Sequence, residues 1–324
     1  MTARREFHFR FVFTATVAAA LLACVLKTPA ADSPGAEAQR RHGLDPTKPL
    51  EARIGPAPAS VLALLKEPGR PDPKVHTLTE AERGQLKIAV QTLPPVHRRV
   101  LSAHLRELSF LDGMPNTALT SMINPTEPFR LLDITVNAAI LRQNVSEWLT
   151  QKEQTCYDVT GSPLRVYVDA GTKVDALVYV LLHEATHVVD AAGQITPALI
   201  GKRTPSTFTN GVWNELSLPV AAYRDPLRAH VRFITNGDDT IPVDRAPDVY
   251  RYLSRTPFVS LYGSRNWLDD LAEYATVYHL TEVLKQPYRI TVRNKDKEVF
   301  AYEPMKSALV RGRIAQMKQF YAGS

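Results

Sequence analysis

One segment constrains this chain more than any other. After Gly171, the apolar residues Val174, Leu177, Val178, Leu181, Leu182, Ala185, Val188 and Val189 recur at close to 3.6-residue spacing. The pattern predicts a helix over 172–192, capped by Thr172 and stopped by Gly193. Inside it lies His183-Glu184-Ala185-Thr186-His187. Residues at i and i+4 share a helical face, so both imidazoles can bind one Zn²⁺. Glu184 projects beside them, where its carboxylate can take a proton from water polarised by the metal. A random chain of this length gives such a match roughly once in a hundred. Two histidines and a glutamate on a helix that buries branched apolar residues would also be costly without partners.

A catalytic zinc site needs three protein ligands and keeps a fourth position open. The metzincin pattern would require a Gly and a His where this chain has Asp190 and Gly193, so that arrangement is excluded. Another source is the helical stretch from Trp267 to Lys285, halted by Pro287. Asp269 and Glu273 are four apart there and share one face, and Leu268, Leu271 and Ala272 point to partial burial. Either carboxylate can serve as third ligand. Asp190, on the face of the two histidines, is a candidate to orient one of them.

The helix at 172–192 together with Leu261 to Tyr274 resembles the zinc-binding domain of the anthrax lethal factor and pro-pro endopeptidase group of gluzincins. In that group a Tyr precedes the third ligand by seven residues, as Tyr262 precedes Asp269. A second carboxylate follows four later, as Glu273 does, with an Ala before it, here Ala272. The likeness spans about residues 80–285, and only these two segments are sharp. The group uses Glu where this chain has Asp269, which leaves Glu273 as the alternative ligand. The resemblance implies a zincin-like α+β fold and a zinc metallopeptidase hydrolysing peptide or protein substrates. By the same resemblance, Tyr262 would donate its hydroxyl to the oxyanion, and Glu273 would orient a ligating histidine. The rival is a non-catalytic envelope protein with a structural or vestigial zinc site. The presence of both Glu184 and Tyr262 weighs against it.

The first residues have the layout of an export signal. Arg4, Arg5 and Arg10 precede an apolar run from Phe11 to Ala23, short of the roughly 20 residues of a bilayer span. Leu21-Leu22-Ala23-Cys24 resembles a bacterial lipobox, with Cys24 the candidate lipidation site and membrane attachment. Cleavage near Ala30 or Ala31 is the competing expectation, and an uncleaved anchor a third. Each implies a chain outside the cytoplasm, periplasmic or in the outer envelope. Cys156 then stands alone, a buried small hydrophobe rather than a nucleophile. The formal net charge of +6 is largely terminal, with no dense basic run interleaved with aromatics, which argues against nucleic-acid binding.

The organisation expected is therefore a signal at 1–24, a low-order linker at 25–75 and one α+β domain over 76–324, with an irregular insertion at about 194–259. Within the domain, Thr79 with Glu82 and Asn144 with Glu147 predict capped helices. Val96 to Leu108 reads as a helix, and Arg130 to Arg142 as a strand. Leu164 to Asp169 reads as an edge strand able to pair with an extended substrate, and Tyr288 to Tyr302 as a hairpin. A terminal helix is expected from Met305 to Tyr321.

Overall fold

The helices that start at Glu80, Val145 and Trp267 follow local side-chain capping, and the other elements follow long-range packing. The computed structural model describes residues 34–199, 206–226 and 240–322. Its helices are α1 (Pro34–Arg41), α2 (Ala59–Leu64), α3 (Glu80–Thr92), α4 (Pro95–His104), α5 (Val145–Gln154), α6 (Ala176–Gly193), α7 (Ala246–Leu253), α8 (Trp267–Tyr278) and α9 (Ala308–Arg311). The first strands are β1 (Lys74–Val75), β2 (Leu105–Asp112), β3 (Ala118–Met122), β4 (Leu132–Asn137), β5 (Tyr157–Asp158) and β6 (Leu164–Asp169). They are followed by β7 (Trp213–Glu215), β8 (Leu218–Pro219), β9 (Ile241–Pro242), β10 (Arg289–Asn294) and β11 (Lys297–Tyr302). The architecture is α+β, with helices around several small sheets. The export segment, including Cys24 and the candidate cleavage sites, lies outside the described residues. No helix among the described residues is long and apolar enough to cross a membrane.

Both capping boxes form. Thr79 N donates to Glu82 Oε2 at 2.8 Å while Glu82 N donates to Thr79 Oγ1 at 3.3 Å. Asn144 and Glu147 make the same reciprocal pair at the start of α5. The helix expected from Val96 to Leu108 ends instead at His104, and Leu105 begins β2. Its apolar residues fit either period, and parallel pairing of β2 with β4 decides the outcome. The expected strand at Arg130 to Arg142 shortens to β4, because Asn137 caps a 3-10 turn over Ala138–Arg142. Helix α6 begins at Ala176, four residues beyond Thr172. Val174 O and Ala176 N are held by Val145 N and Gln143 O, so the preceding stretch is extended. Gly193 is its last residue, and Gln194 takes the left-handed conformation.

Two further expectations are corrected. Residues 34–75 are not a low-order linker. Arg53 is fully buried and its guanidinium donates to the carbonyls of Pro46, Lys48, Leu101, Ser102 and Leu105. It thereby caps the C-terminal end of α4, whose last carbonyls have no partners within the helix. Ile54 bridges to Leu108 and β1 pairs with β2, so the segment is wrapped on the domain. Strand β6 is at a sheet edge, in the order β11-β10-β6, but its outer edge is covered. Side chains of α5 take those backbone groups: Thr150 bonds both N and O of Val168, and Gln154 donates to Val166 O. A substrate strand cannot add there.

The C-terminal elements also break where a polar group is drawn inward. The terminal helix is interrupted around Gly312 and Arg313. Arg313 is buried and grips both oxygens of Asp270, at 3.0 and 2.7 Å, while Trp213 Nε1 donates to the same carboxylate at 2.9 Å. The helix begun at Trp267 stays α-helical to Tyr278 and then widens into a π turn over His279–Val283. Tyr288 to Tyr302 forms the expected hairpin of β10 and β11. Among its described residues the irregular region holds short pairs, β9 with β5 and β7 with β8, two 3-10 turns at Ala221–Tyr223 and Val243–Arg245, and α7. Cys156 is buried and reduced, and burial pushes its thiol well above the usual range.

Helix α6 is the centre of the core. It packs against α3, α4, α5, α8 and β3. Every residue from Ala176 to Asp190 except His187 is buried, so the helix is covered nearly all round rather than along one stripe. On its back face sits a histidine pair. Thr186 donates to Leu182 O, so it accepts from His97 Nε2, leaving His97 Nδ1 unprotonated and without a partner. His279 Nδ1 meets the Tyr321 hydroxyl at 2.7 Å, and the ring also lies against the Thr92 backbone carbonyl. Burial, reinforced by the nearby His279, drives His97 down to about 3, and burial drives His279 down to about 4. Both are neutral when folded and basic when unfolded. Stability is therefore full above the unfolded value near 6.5 and is lost as pH falls toward the folded values. Each costs about 1.4 kcal/mol per pH unit in that window, or about 4 kcal/mol together by pH 5. Glu153, raised to about 7 by burial, and His183, raised to about 9, act in the opposite direction between pH 7.5 and pH 5, so the contribution of the pair is read by difference. His97→Gln, which keeps an N–H for Thr186, should gain about 2 kcal/mol on the parent in urea unfolding when the pH is lowered from 7.5 to 5; an unchanged difference would assign the acid lability elsewhere.

Candidate metal centre

The two histidines of α6 point their Nε2 atoms to one place. His183 Nε2 and His187 Nε2 are 3.2 Å apart, and Asp269 Oδ1 is 3.7 Å from each. Ligand atoms bound tetrahedrally at roughly 2.0–2.1 Å stand roughly 3.3 Å from one another. The three atoms fit one ion with shifts of a few tenths of an ångström. They are the group among the described residues able to hold a metal. Two nitrogens and a carboxylate oxygen are a donor set that suits zinc and its first-row neighbours.

Asp269 reaches this point because of where its helix begins. Asn266 caps α8, accepting from Leu268 N and Asp269 N, and its Nδ2 donates to Asp269 Oδ2 at 2.7 Å. That bond fixes the outer oxygen and leaves Oδ1 toward the histidines. The first turn of a helix also favours a negative charge. The neighbouring Asp270 faces the other way, into the clasp with Arg313, and so sets the rotation of α8. Burial would raise Asp269, but the His183 and His187 rings outweigh it and hold the carboxyl below its usual range.

Glu273 lies one turn further along α8 and is fully buried. Its Oε2 accepts from Ser260 Oγ at 2.6 Å and from the Tyr179 hydroxyl at 3.1 Å. Its Oε1 is 3.0 Å from His183 Nδ1 and 3.3 Å from Lys152 Nζ. The carboxylate therefore sits on the far nitrogen of His183, not beside Nε2. Burial would raise its pKa, but the Lys152 charge and His183 drive it far below the usual carboxylate range. Against its own burial, His183 is pushed up to about 9 by Asp269, Glu273 and Glu184. The carboxylates around His183 thus favour a positive charge on its ring. His187 is lowered by burial and by its positive neighbour.

Glu184 is buried beside the histidines, and Thr120 on β3 donates its hydroxyl to Glu184 Oε2 at 2.6 Å. Strand β3 is the outer strand of the order β1-β2-β4-β3 and runs antiparallel to β4. The Tyr262 ring lies 5.7 Å from that of His183. Burial, with Asp269 nearby, holds its hydroxyl well above the ordinary phenol range. Gly263 lets this turn lie against α8, since a Cβ there would come 3.3 Å from Glu273 Cβ. Asp190 departs from expectation. Both its oxygens accept from Thr196, N at 2.7 Å and Oγ1 at 2.6 Å. It ties down the chain leaving α6, and makes no hydrogen bond to either histidine.

The structure thus brings His183, His187, Asp269, Glu184, Glu273 and Tyr262 together and gives Asp190 another task. Thr120, Lys152, Ser260 and Tyr179 join them, and nothing in their local sequence marks them. No protein-family model, no curated protein and no solved structure matches this chain.

Proposed function

We propose that this protein is an exported zinc metallopeptidase of the gluzincin kind, hydrolysing peptide bonds in extended substrates. The observation that carries the reading is the convergence of His183 Nε2, His187 Nε2 and Asp269 Oδ1 beside the carboxylate of Glu184. His183, His187 and Asp269 would hold the ion, which when bound supplies Lewis acidity and lowers the pKa of water. Glu184 Oε1 accepts the proton from the attacking water and returns it to the leaving amine, while Thr120 fixes Oε2. Glu273 holds the orientation of the His183 ring. Tyr262 donates its hydroxyl, kept protonated by burial, to the oxyanion. The outer edge of β3, which has no strand partner among the described residues, runs past Glu184 and offers main-chain pairing to an extended peptide.

A structural zinc would be closed by four protein ligands, and among the described residues the group has three. That favours catalysis over a structural or vestigial ion. The purified chain should carry about one zinc per molecule by elemental analysis. It should also cleave members of a peptide library in a way abolished by chelator and restored by zinc. A chain that takes up no zinc would overturn the reading. Because an enzyme restricted to one partner would spare generic peptides, metal content is the deciding arm.

A further inference from the structure

We propose that Lys152 is a positioning residue, whose ammonium binds Glu273 and the Tyr262 ring into one unit behind His183. The inference rests on reading His183 as a metal ligand. Lys152 projects from α5, which contributes no ligand, yet its side chain is only 8 % exposed. Its Nζ stands 3.3 Å from Glu273 Oε1, 4.0 Å from the centre of the Tyr262 ring and 5.1 Å from that of Trp148. A buried ammonium is costly unless paired, and aromatic faces and a carboxylate are what compensate it. The two nearest of these groups are residues that touch His183: Glu273 at Nδ1 and Tyr262 at the ring.

The consequence is mechanical. Glu273 has Ser260 and Tyr179 on one oxygen, while its other oxygen accepts from Lys152 Nζ and lies 3.0 Å from His183 Nδ1. Removing the ammonium frees Oε1 to move, and with it the ring whose Nε2 faces the metal. The same change removes the nearer of two cations over the Tyr262 ring, leaving Arg265 at 4.9 Å from its centre. A purely structural ion pair between α5 and α8 would alter stability but leave these two positions as they are.

The test uses the full chain and zinc affinity measured against a chromophoric chelator. Lys152→Met and Glu273→Gln should each weaken zinc binding by about 10- to 100-fold. The double variant should be no weaker than the weaker single, because either change breaks the same unit. Multiplied effects would mean that Lys152 acts independently of Glu273 and would overturn the proposal. Should Lys152→Met alone fail to fold, the double variant has no unpaired buried charge and is compared with Glu273→Gln. It should bind zinc as that variant does, and a further loss overturns the proposal. A second readout places 3-fluorotyrosine at position 262 only. Its fluorine resonance should shift and broaden in Lys152→Met and recover in Lys152→Arg; an unchanged resonance overturns the clamp. If the parent takes up no zinc, the functional reading fails while the fluorine comparison still decides the role of Lys152.

Discussion

Glu184→Gln should leave zinc bound and reduce peptide hydrolysis by about 10²- to 10⁴-fold, the usual contribution of a positioned general base. The substitution preserves shape. A glutamine oxygen can still accept from Thr120 Oγ1, which is 2.6 Å from Glu184 Oε2, so the side chain should hold its place. What disappears is the lone pair able to take a proton at the other oxygen. Both imidazoles and Asp269 remain, so elemental analysis should show parental zinc content. Loss of turnover with loss of metal would mean a structural effect of the substitution. Parental turnover with full zinc would remove Glu184 from the chemistry, since the three other carboxylates described around α6 and the histidines are engaged elsewhere. Asp269 faces the histidines, Glu273 is saturated and Asp190 is spent on Thr196.

Local features were legible because their hydrogen bonds are local. The capping boxes at Thr79 and Asn144 and the hairpin at β10 and β11 close within a few residues, and they form where the sequence places them. Errors came where distant contacts choose between local options. Leu105 and Leu108 suit a helix stripe and a strand equally, and pairing with β4 settles it. Residues 34–75 look disordered by composition, because Pro, Gly and charge dominate. Their docking uses the buried Arg53, whose acceptors are backbone carbonyls, and backbone pairing at Ile54 and β1, and backbone groups leave no trace in a sequence.

The site divides along the same line. His183, Glu184 and His187 are tied by helical spacing, and Asp269 and Glu273 by a second helix of readable length. Their division of labour was not readable, because it depends on the rotation of α8. Asp270, a residue that could pass for part of an acidic surface, sets that rotation through Arg313 and Trp213. Thr120 and Lys152 come from β3 and α5, far along the chain, and no spacing rule connects them to the histidines.

Asp269→Ala should strip the chain of most of its zinc, and Glu273→Ala should not. The two carboxylates are one helical turn apart, so a generic acidic effect would treat them alike. The geometry does not. Asp269 Oδ1 is 3.7 Å from both Nε2 atoms, while Glu273 Oε1 is 3.0 Å from Nδ1 on the opposite side of the His183 ring. Removing Asp269 leaves two nitrogen ligands, fewer than the three a catalytic zinc site uses. Removing Glu273 leaves all three and costs only the orientation of one ring, for which about 10- to 100-fold in affinity is expected. The shorter Asp suffices because Asn266 holds Oδ2 from outside and α8 packs directly on α6. Competition against a chelator separates the outcomes, since Asp269→Ala should fall below the Glu273→Ala value. The reverse order would make Glu273 the ligand, and would require its Oε1 to leave Lys152 and cross to the Nε2 side of the ring.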